Sequence, residues 1–349
     1  MVQMKKLVLL VLSIGLLSQF TLGQDIHFSQ FQASPLLLNP ANTGFTGHFK
    51  EKHYADYRVG LNYRNQWSSF INPFVTFSGF FDKMFGKEII EGGYLGAGLV
   101  LFSDQAGTAE FTTQTAMGSV GFHKLLGAEN EHLVSIGIQG GISQKGINYD
   151  NLRFGNQYES VLFSPDASHG EKFVENSLTQ LVINTGLKWQ YTLQDNLELN
   201  AGVSLFNVNQ PNESYLDNPE NALNNRMMVS AGAVYQYNDQ ISILPSILFA
   251  GQTKTKEIVV GSFVGYNIKD IPLLKINGLL GIFYRTSDAI VIVPAIEYNN
   301  YRFGISYDIN VSSLRAASKG RGALEFSLVY VFNDNPQIGI KKSLPCKRL

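Results

Sequence analysis

The chain reads as an all-β protein, a transmembrane antiparallel up-and-down barrel of about fourteen strands with a non-barrel N-terminal lead. Three observations predict this. Hydrophobicity alternates with period two over almost the whole chain, most cleanly from Tyr301 to Val311 and from Leu324 to Phe332, and period two is the strand period. Charged residues make up only 16% of the sequence, against roughly 25% in ordinary soluble domains, so something other than water covers part of the surface. Past residue 23 no apolar run reaches the ~20 residues of a spanning helix, which leaves a closed barrel as the membrane solution that pairs every backbone group.

The first 23 residues form a separate unit. Lys5 and Lys6 precede an apolar centre from Leu7 to Leu17 and a small Gly23. That three-part plan is a secretory signal peptide with cleavage after Gly23. Its removal leaves 25 basic against 28 acidic residues, a net charge of −3, which offers no electrostatic footprint for nucleic acid. The lone Cys346 cannot form an internal disulfide, so an exported chain must hold without one.

Residues 24–52 do not alternate and carry Pro35, three leucines, Asn39, Pro40 and Gly44. They form a lead expected either to fold back into the lumen as a plug or to dock at the periplasmic mouth. The barrel follows over 53–332. Its first strand sets Tyr57, Val59, Leu61 and Tyr63 against Arg58, Gly60, Asn62 and Arg64. Further strands are expected near Asn72 to Asp82, Gly93 to Ser103, Phe111 to His123, His132 to Ser143, Gln180 to Tyr191 and Leu197 to Leu205. The rest run near Arg226 to Tyr237, Gln240 to Ala250, Glu257 to Ile268, Leu273 to Arg285, Ala289 to Tyr298, Tyr301 to Val311 and Gly322 to Phe332. Residues 333–349 are expected to be a periplasmic tail.

Loop parity supports one direction of insertion. Long connections at Gln144 to Ser177, Val208 to Asn225 and Ser312 to Arg321 all follow odd strands, as the outer loops of such barrels do. Tight turns at Gln194-Asp195-Asn196, Asn238-Asp239 and Asn299-Asn300 follow even strands, and Asn tolerates the positive φ that two-residue hairpins need. Tyr191, Tyr237, Tyr266, Tyr298 and Tyr301 gather at the short-turn end, as an aromatic girdle would. Arg58, Arg64, Asp82, Lys188, Glu198, Lys275, Arg285, Glu297, Arg302, Asp308 and Glu325 fall in the polar half of their strands. The polar half is expected to line the lumen.

Chemistry is harder to find. The six histidines show no pair at ligand spacing and no HExxH, so no zinc centre or other cofactor is expected. Gly137, Gly140 and Gly141 recur at strand spacing without a following helix, unlike a phosphate-cradling loop. Ser119 and His123 share a strand face four positions apart, too far along a strand for a hydrolytic pair. The expectation is a protein that is not an enzyme.

Gln24-Asp25 with Phe28-Ser29-Gln30, Leu38-Asn39-Pro40-Ala41 through Gly44, and Tyr63-Arg64-Asn65-Gln66-Trp67 resemble stretches of one family, the PorP/SprF outer-membrane proteins of the type IX secretion and gliding machinery. Ser103 to Gly107, Phe154 to Gln157, Ser306 to Ser312, Gly322 to Glu325 and Pro345-Cys346 continue the likeness. At the end, Lys347 and Leu349 stand where the family pattern has Pro and an aromatic residue. The resemblance implies a non-enzymatic barrel that helps deliver or attach secreted cargo, often surface adhesins, with periplasmic secretion components and outer-membrane lipid as partners. Its signature positions are Asn39, Pro40, Arg64, Asn65, Gln66, Trp67, Asp308, Asn310 and Glu325. Among them, Asn39-Pro40 and Arg64 to Trp67 are expected to lock the lead to the wall, with Arg64 and Gln66 facing inward. A passive channel for small solutes is the alternative.

Overall fold

The computed structural model describes residues 27–45, 57–67, 72–86, 90–159, 162–164, 176–194, 196–215, 221–271, 274–313 and 315–332. The expected leader, the Gln24-Asp25 pair, His48, His53, His169 and the 333–349 tail with Cys346 lie outside them.

Fourteen strands close into one barrel: β1 (Tyr57–Gln66), β2 (Phe74–Phe85), β3 (Gly93–Ala106), β4 (Phe111–Leu126), β5 (His132–Gly146), β6 (Ser177–Gln194) and β7 (Leu197–Phe206), then β8 (Arg226–Gln236), β9 (Ile241–Gln252), β10 (Thr255–Ile271), β11 (Leu274–Arg285), β12 (Ala289–Tyr298), β13 (Tyr301–Asn310) and β14 (Arg321–Phe332). Every strand pairs with its sequence neighbours, and β1 closes on β14 from Tyr57↔Phe332 to Gln66↔Ala323. The expected count and up-and-down order are both met. Closure removes the unpaired edges that an open sheet would present.

The alternation sorts the faces. Leu61, Phe77, Leu101, Ile138, Ile282 and Phe303 stand exposed on the outer surface, while Asn62, Ser78, Gln139, Asn184 and Ser306 on the opposite face are buried. Tyr237, Tyr266, Tyr298 and Tyr301 are outward and exposed at the short-turn end, and Tyr301, Tyr330, Phe332 and Tyr57 form a run of touching rings there.

One expectation needs correction. The lumen is not polar throughout, because β8 to β12 carry Met228, Leu248, Val259, Phe263, Phe283, Val291 and Val293 inward as one buried cluster. These strands are apolar on both faces, and their inner face meets Phe31 and Leu38 of the lead rather than water. Burial against another apolar element stabilises as a core does.

The turns divide in mechanism. Asn299 takes a φ of 52° as the short hairpin requires. Asn238 instead uses its side chain, whose Oδ1 accepts from the backbone N–H of Gln240 and Ile241 at 2.9 and 2.8 Å, an Asx turn. The long connection after β5 carries a small hairpin, Tyr158–Glu159 against Leu162–Phe163, and the one after β13 a helical turn, Arg315–Ser318.

Candidate functional site: a lead held inside the barrel

Residues 27–45 run through the lumen from the long-loop end to the short-turn end. Three short turns build them: Phe31–Ala33, Pro35–Leu38 and Pro40–Asn42. Pro35 and Pro40 each open a turn, where a missing N–H and a preset φ cost nothing. Asn39 caps the last one, its Oδ1 accepting from Ala41 N at 2.8 Å. Helical pieces of three or four residues do not persist alone; the wall holds them.

At the long-loop end a buried charge cluster grips Ser29. Its hydroxyl accepts from Arg64 Nη1 at 2.5 Å and from Arg285 Nη2 at 2.7 Å, and donates to the Asp308 carboxylate at 2.8 Å. One donor and two acceptor sites are all a serine hydroxyl has, so this one is saturated. Arg64 also pairs with Asp308 at 3.0 Å and Glu325 at 3.1 Å, and Arg285 with Asp308 at 3.1 Å. Glu325 completes the grip by accepting the backbone N–H of Ser29 and Gln30 at 2.8 and 3.0 Å. Arg64, Arg285, Asp308 and Glu325 are each 2% exposed or less. Arg285 also meets Asp288 at 2.9 Å and Glu257 at 3.7 Å, so each buried guanidinium group lies opposite carboxylates, as charges taken from water must. Arg64, Arg285, Asp308 and Glu325 come from β1, β11, β13 and β14, and all four meet at Ser29, the first three on its hydroxyl and Glu325 on its backbone N–H.

Midway, Asn39 Nδ2 donates to the carbonyls of Leu187 and Val203 at 3.0 and 3.2 Å. Pro40 approaches the wall where side chains are missing. A Cβ on Gly137 would stand 2.2 Å from the Pro40 carbonyl carbon, and one on Gly186 1.9 Å from Asn39 Oδ1. The glycines of β5 and β6 are therefore a seat for the lead.

Toward the short-turn end a second ion pair takes over. Arg58 binds Asp82 through Nε at 3.0 Å and Nη2 at 2.5 Å, while Gly44 N donates to Asp82 Oδ2 at 2.7 Å and Arg58 Nη2 to the Asn42 carbonyl at 2.9 Å. His123 bridges the Thr43 carbonyl at 2.8 Å and Ser135 Oγ at 2.7 Å, stacked on Tyr94. Lys188 Nζ sits 3.2 Å above the Phe45 ring centroid, a cation–π contact.

The nine signature positions thus separate. Asn39, Pro40, Arg64, Asp308 and Glu325 converge on the lead. Gln66 faces inward and accepts from Arg64 Nη2 at 3.4 Å. Asn65 turns outward beside Tyr63 OH. Trp67, at φ 60°, packs edge-on against Phe74 at the rim. Asn310 holds the loop after β13, accepting from Ser312 N and contacting Ser318 Oγ. Ser29, Arg285, Arg58, Asp82 and His123 belong to the lead's contacts but are not among the nine. Arg285 and Asp82 had a visible signal, formal charges whose strand parity put them on the inward face.

The expected separation of Ser119 and His123 also has a structural account. Ser119 Oγ meets Thr43 Oγ1 at 2.5 Å and His123 is spent on Thr43 and Ser135, so both serve the lead. Among the described residues no three His, Cys, Asp or Glu side chains converge as metal ligands.

Above the cluster, the two longest loops touch. Lys145 at the end of β5 forms an ion pair with Glu213 in the connection after β7. Burial first, then neighbouring Tyr149 and Glu213, pushes the Tyr215 phenol up to about 12. Lys145, Tyr149, Glu213 and Tyr215 thereby bring the described parts of the two connections, 147–159 and 207–215, together.

A family model described as "Type IX secretion system membrane protein PorP/SprF" matches residues 21–330. Of the solved structures, the Pseudomonas putida toluene transporter TodX superposes with a TM-score of 0.51 at 12% identity, covering 85% of this chain and 92% of that one. The Ralstonia pickettii toluene transporter TbuX gives 0.47 at 10% identity, covering 86% and 94%. At these identities the likeness concerns the fold alone. No curated protein matches. The chain belongs to the PorP/SprF family.

Proposed function

We propose that this PorP/SprF barrel acts in the outer membrane as a non-enzymatic accessory of type IX secretion, helping to export or surface-attach particular cargo such as adhesins. A cleaved leader ending at Gly23 would deliver it, and periplasmic secretion components would meet its short-turn mouth. The observation that carries this reading, beside the family, is the occupied lumen. The lead is tied at Ser29, Asn39 and Gly44 to seven different strands, so the surface left for a protein partner is at the mouths. The long outer connections Gln144 to Ser177 and Val208 to Asn225, which meet through Lys145 and Glu213, are the proposed contact for cargo.

Deleting those two loops is expected to leave a folded barrel and abolish retention of cargo at the cell surface. Unchanged retention with intact barrel overturns the reading. A passive channel predicts steady conductance from the purified protein in planar bilayers; the seated lead predicts silence.

A further inference from the structure

Between β13 and β14 the pairing register shifts, so that Tyr307 faces Leu324 but Ile309 faces Arg321. Two steps along β13 thus match three along β14, a β-bulge, which re-aims a side chain. Arg321 has the parity of Ala323 and Glu325, both buried on the inner face, and in an unbroken strand it would point into the lumen. The extra residue instead sets it beside Ile309 on the outer face, where it is exposed.

Two more cations belong to the same connection. Arg315 and Lys319 are exposed, and residues 311–322 contain no Asp or Glu. The backbone that carries them is fixed. Ser312 N and Oγ donate to Asn310 Oδ1 at 2.9 and 2.6 Å, Gly320 N donates to the Arg315 carbonyl at 3.1 Å, and Asn310 N to the Gly320 carbonyl at 3.0 Å. Lys319 and Gly320, at φ 53° and 77°, end the helical turn in the left-handed region. The carboxylates of the flanking strands and turn, Asp308, Glu325 and Asp288, are spent on Arg64 and Arg285. Among the described residues no carboxylate pairs with Arg315, Lys319 or Arg321.

The apolar band runs up to this loop. Tyr307, Ile309 and Val311, Leu324 of β14 and Tyr63 of β1 are outward and exposed. Trp67, whose N–H donates to the Gly322 carbonyl at 3.1 Å, packs on Phe74 at the same rim. Such aromatic rings gather at the level of lipid headgroups. The cations therefore stand at the height of lipid phosphates, which guanidinium groups bind strongly, and a soluble acidic protein would meet the barrel higher up.

We infer that Arg315, Lys319 and Arg321 form a binding site for the phosphate of an outer-leaflet glycolipid, whose acyl chains lie on the outward face of β13, β14 and β1. The inference rests on the outer-membrane reading and not on the cargo reading. The test is native mass spectrometry of the purified full-length barrel in detergent, with bisphosphorylated lipid A or the same lipid stripped of phosphate as probes. Heat-modifiable migration checks that each variant remains a barrel. The wild type is expected to retain the phosphorylated lipid in strong preference to the stripped one. Joint Arg315→Gln, Lys319→Gln and Arg321→Gln should weaken that binding about 100-fold, roughly fivefold for each cation, and Arg321→Gln alone about fivefold. Lys83→Gln, Lys269→Gln and Lys275→Gln together remove equal charge at the other mouth and should leave it unchanged. Equal retention of the two lipids, an intact triple variant that binds as the wild type does, or equal loss in the two triple variants overturns the site. Inorganic phosphate held as tightly as the lipid would assign the loop to a free anion, and loss of co-purified cargo with lipid retained would assign it to an acidic protein; either outcome overturns the glycolipid.

Discussion

Replacing Arg64 by alanine tests whether the buried cluster positions the lead. The substitution removes hydrogen bonds to Ser29, Asp308, Glu325 and Gln66 together. Asp308 keeps Arg285 and the Ser29 hydroxyl, but Glu325 is left with two backbone N–H donors and no cation. Stranding one member of a buried ion pair costs about 3–5 kcal/mol, more than 100-fold in an equilibrium. The barrel need not absorb that cost, since β1 keeps its ladders to β2 and β14. Withdrawing Ser29 and Gln30 lets water reach both carboxylates instead. Hydrogen exchange at those two amides in detergent-solubilised protein should therefore rise by about two orders of magnitude, while heat-modifiable migration, a mark of the intact barrel, persists. Arg64→Lys keeps the charge but loses the planar fork, and should fall between the two. Unchanged protection of Ser29 and Gln30 in an intact Arg64→Ala barrel would refute the role given to the cluster.

Two further outcomes follow from the same contacts. Gly186→Ala places a Cβ 1.9 Å from Asn39 Oδ1, and forcing such an overlap costs about 1–3 kcal/mol; proteolysis within 35–45 should accelerate, and a wild-type rate would show that the glycine seat is dispensable. Tyr215 is held protonated up to about 12, above the ordinary phenol near 10, so its contribution is full below about pH 10 and lost as pH rises through the folded value. Phenolate absorbance should show a tyrosine titrating near 12 that Tyr215→Phe removes; its absence from that window would contradict the packed contact between the two connections.

The strand count and the outward faces were legible because an alternating strand declares its two solvents. Val59, Leu61 and Tyr63 against Asn62 and Arg64 leave no second register, since a one-residue slip would turn Arg64 outward. Where both faces are apolar the signal disappears. Ile290, Val291, Ile292 and Val293 show no period, and the inner wall of β8 to β12 could not be assigned until the lead was seen to cover it. The convergence of Arg285 with Arg64 and Asp308 was hidden for another reason. Strands β11, β13 and β1 are brought together by barrel closure and by the lead reaching between them, and no local pattern encodes that meeting. Asn238 shows the same limit on a small scale: its residue type predicted the turn, but not whether backbone or side chain would make it.

The distribution of wall charge along the path of the lead also says how it should come loose. Its middle, Phe31 to Leu38, meets apolar wall on two sides, which supplies burial, while its hydrogen bonds to the wall there are neutral ones, from Asn62, Gln139 and Ser204 and to Ser246. Hydrogen bonds to the wall's buried ion pairs supply what burial lacks, because Ser29, Gln30, Asn42 and Gly44 reach those charged groups in one position only. With Arg64, Arg285, Asp308 and Glu325 at one end and Arg58 with Asp82 at the other, the lead is fixed in register at two points. Losing one leaves the other as a tether, and the freed end then returns at the high effective concentration of an intramolecular contact. Damage to either clasp alone should fray its own end of the lead, and only damage to both should free the whole of it.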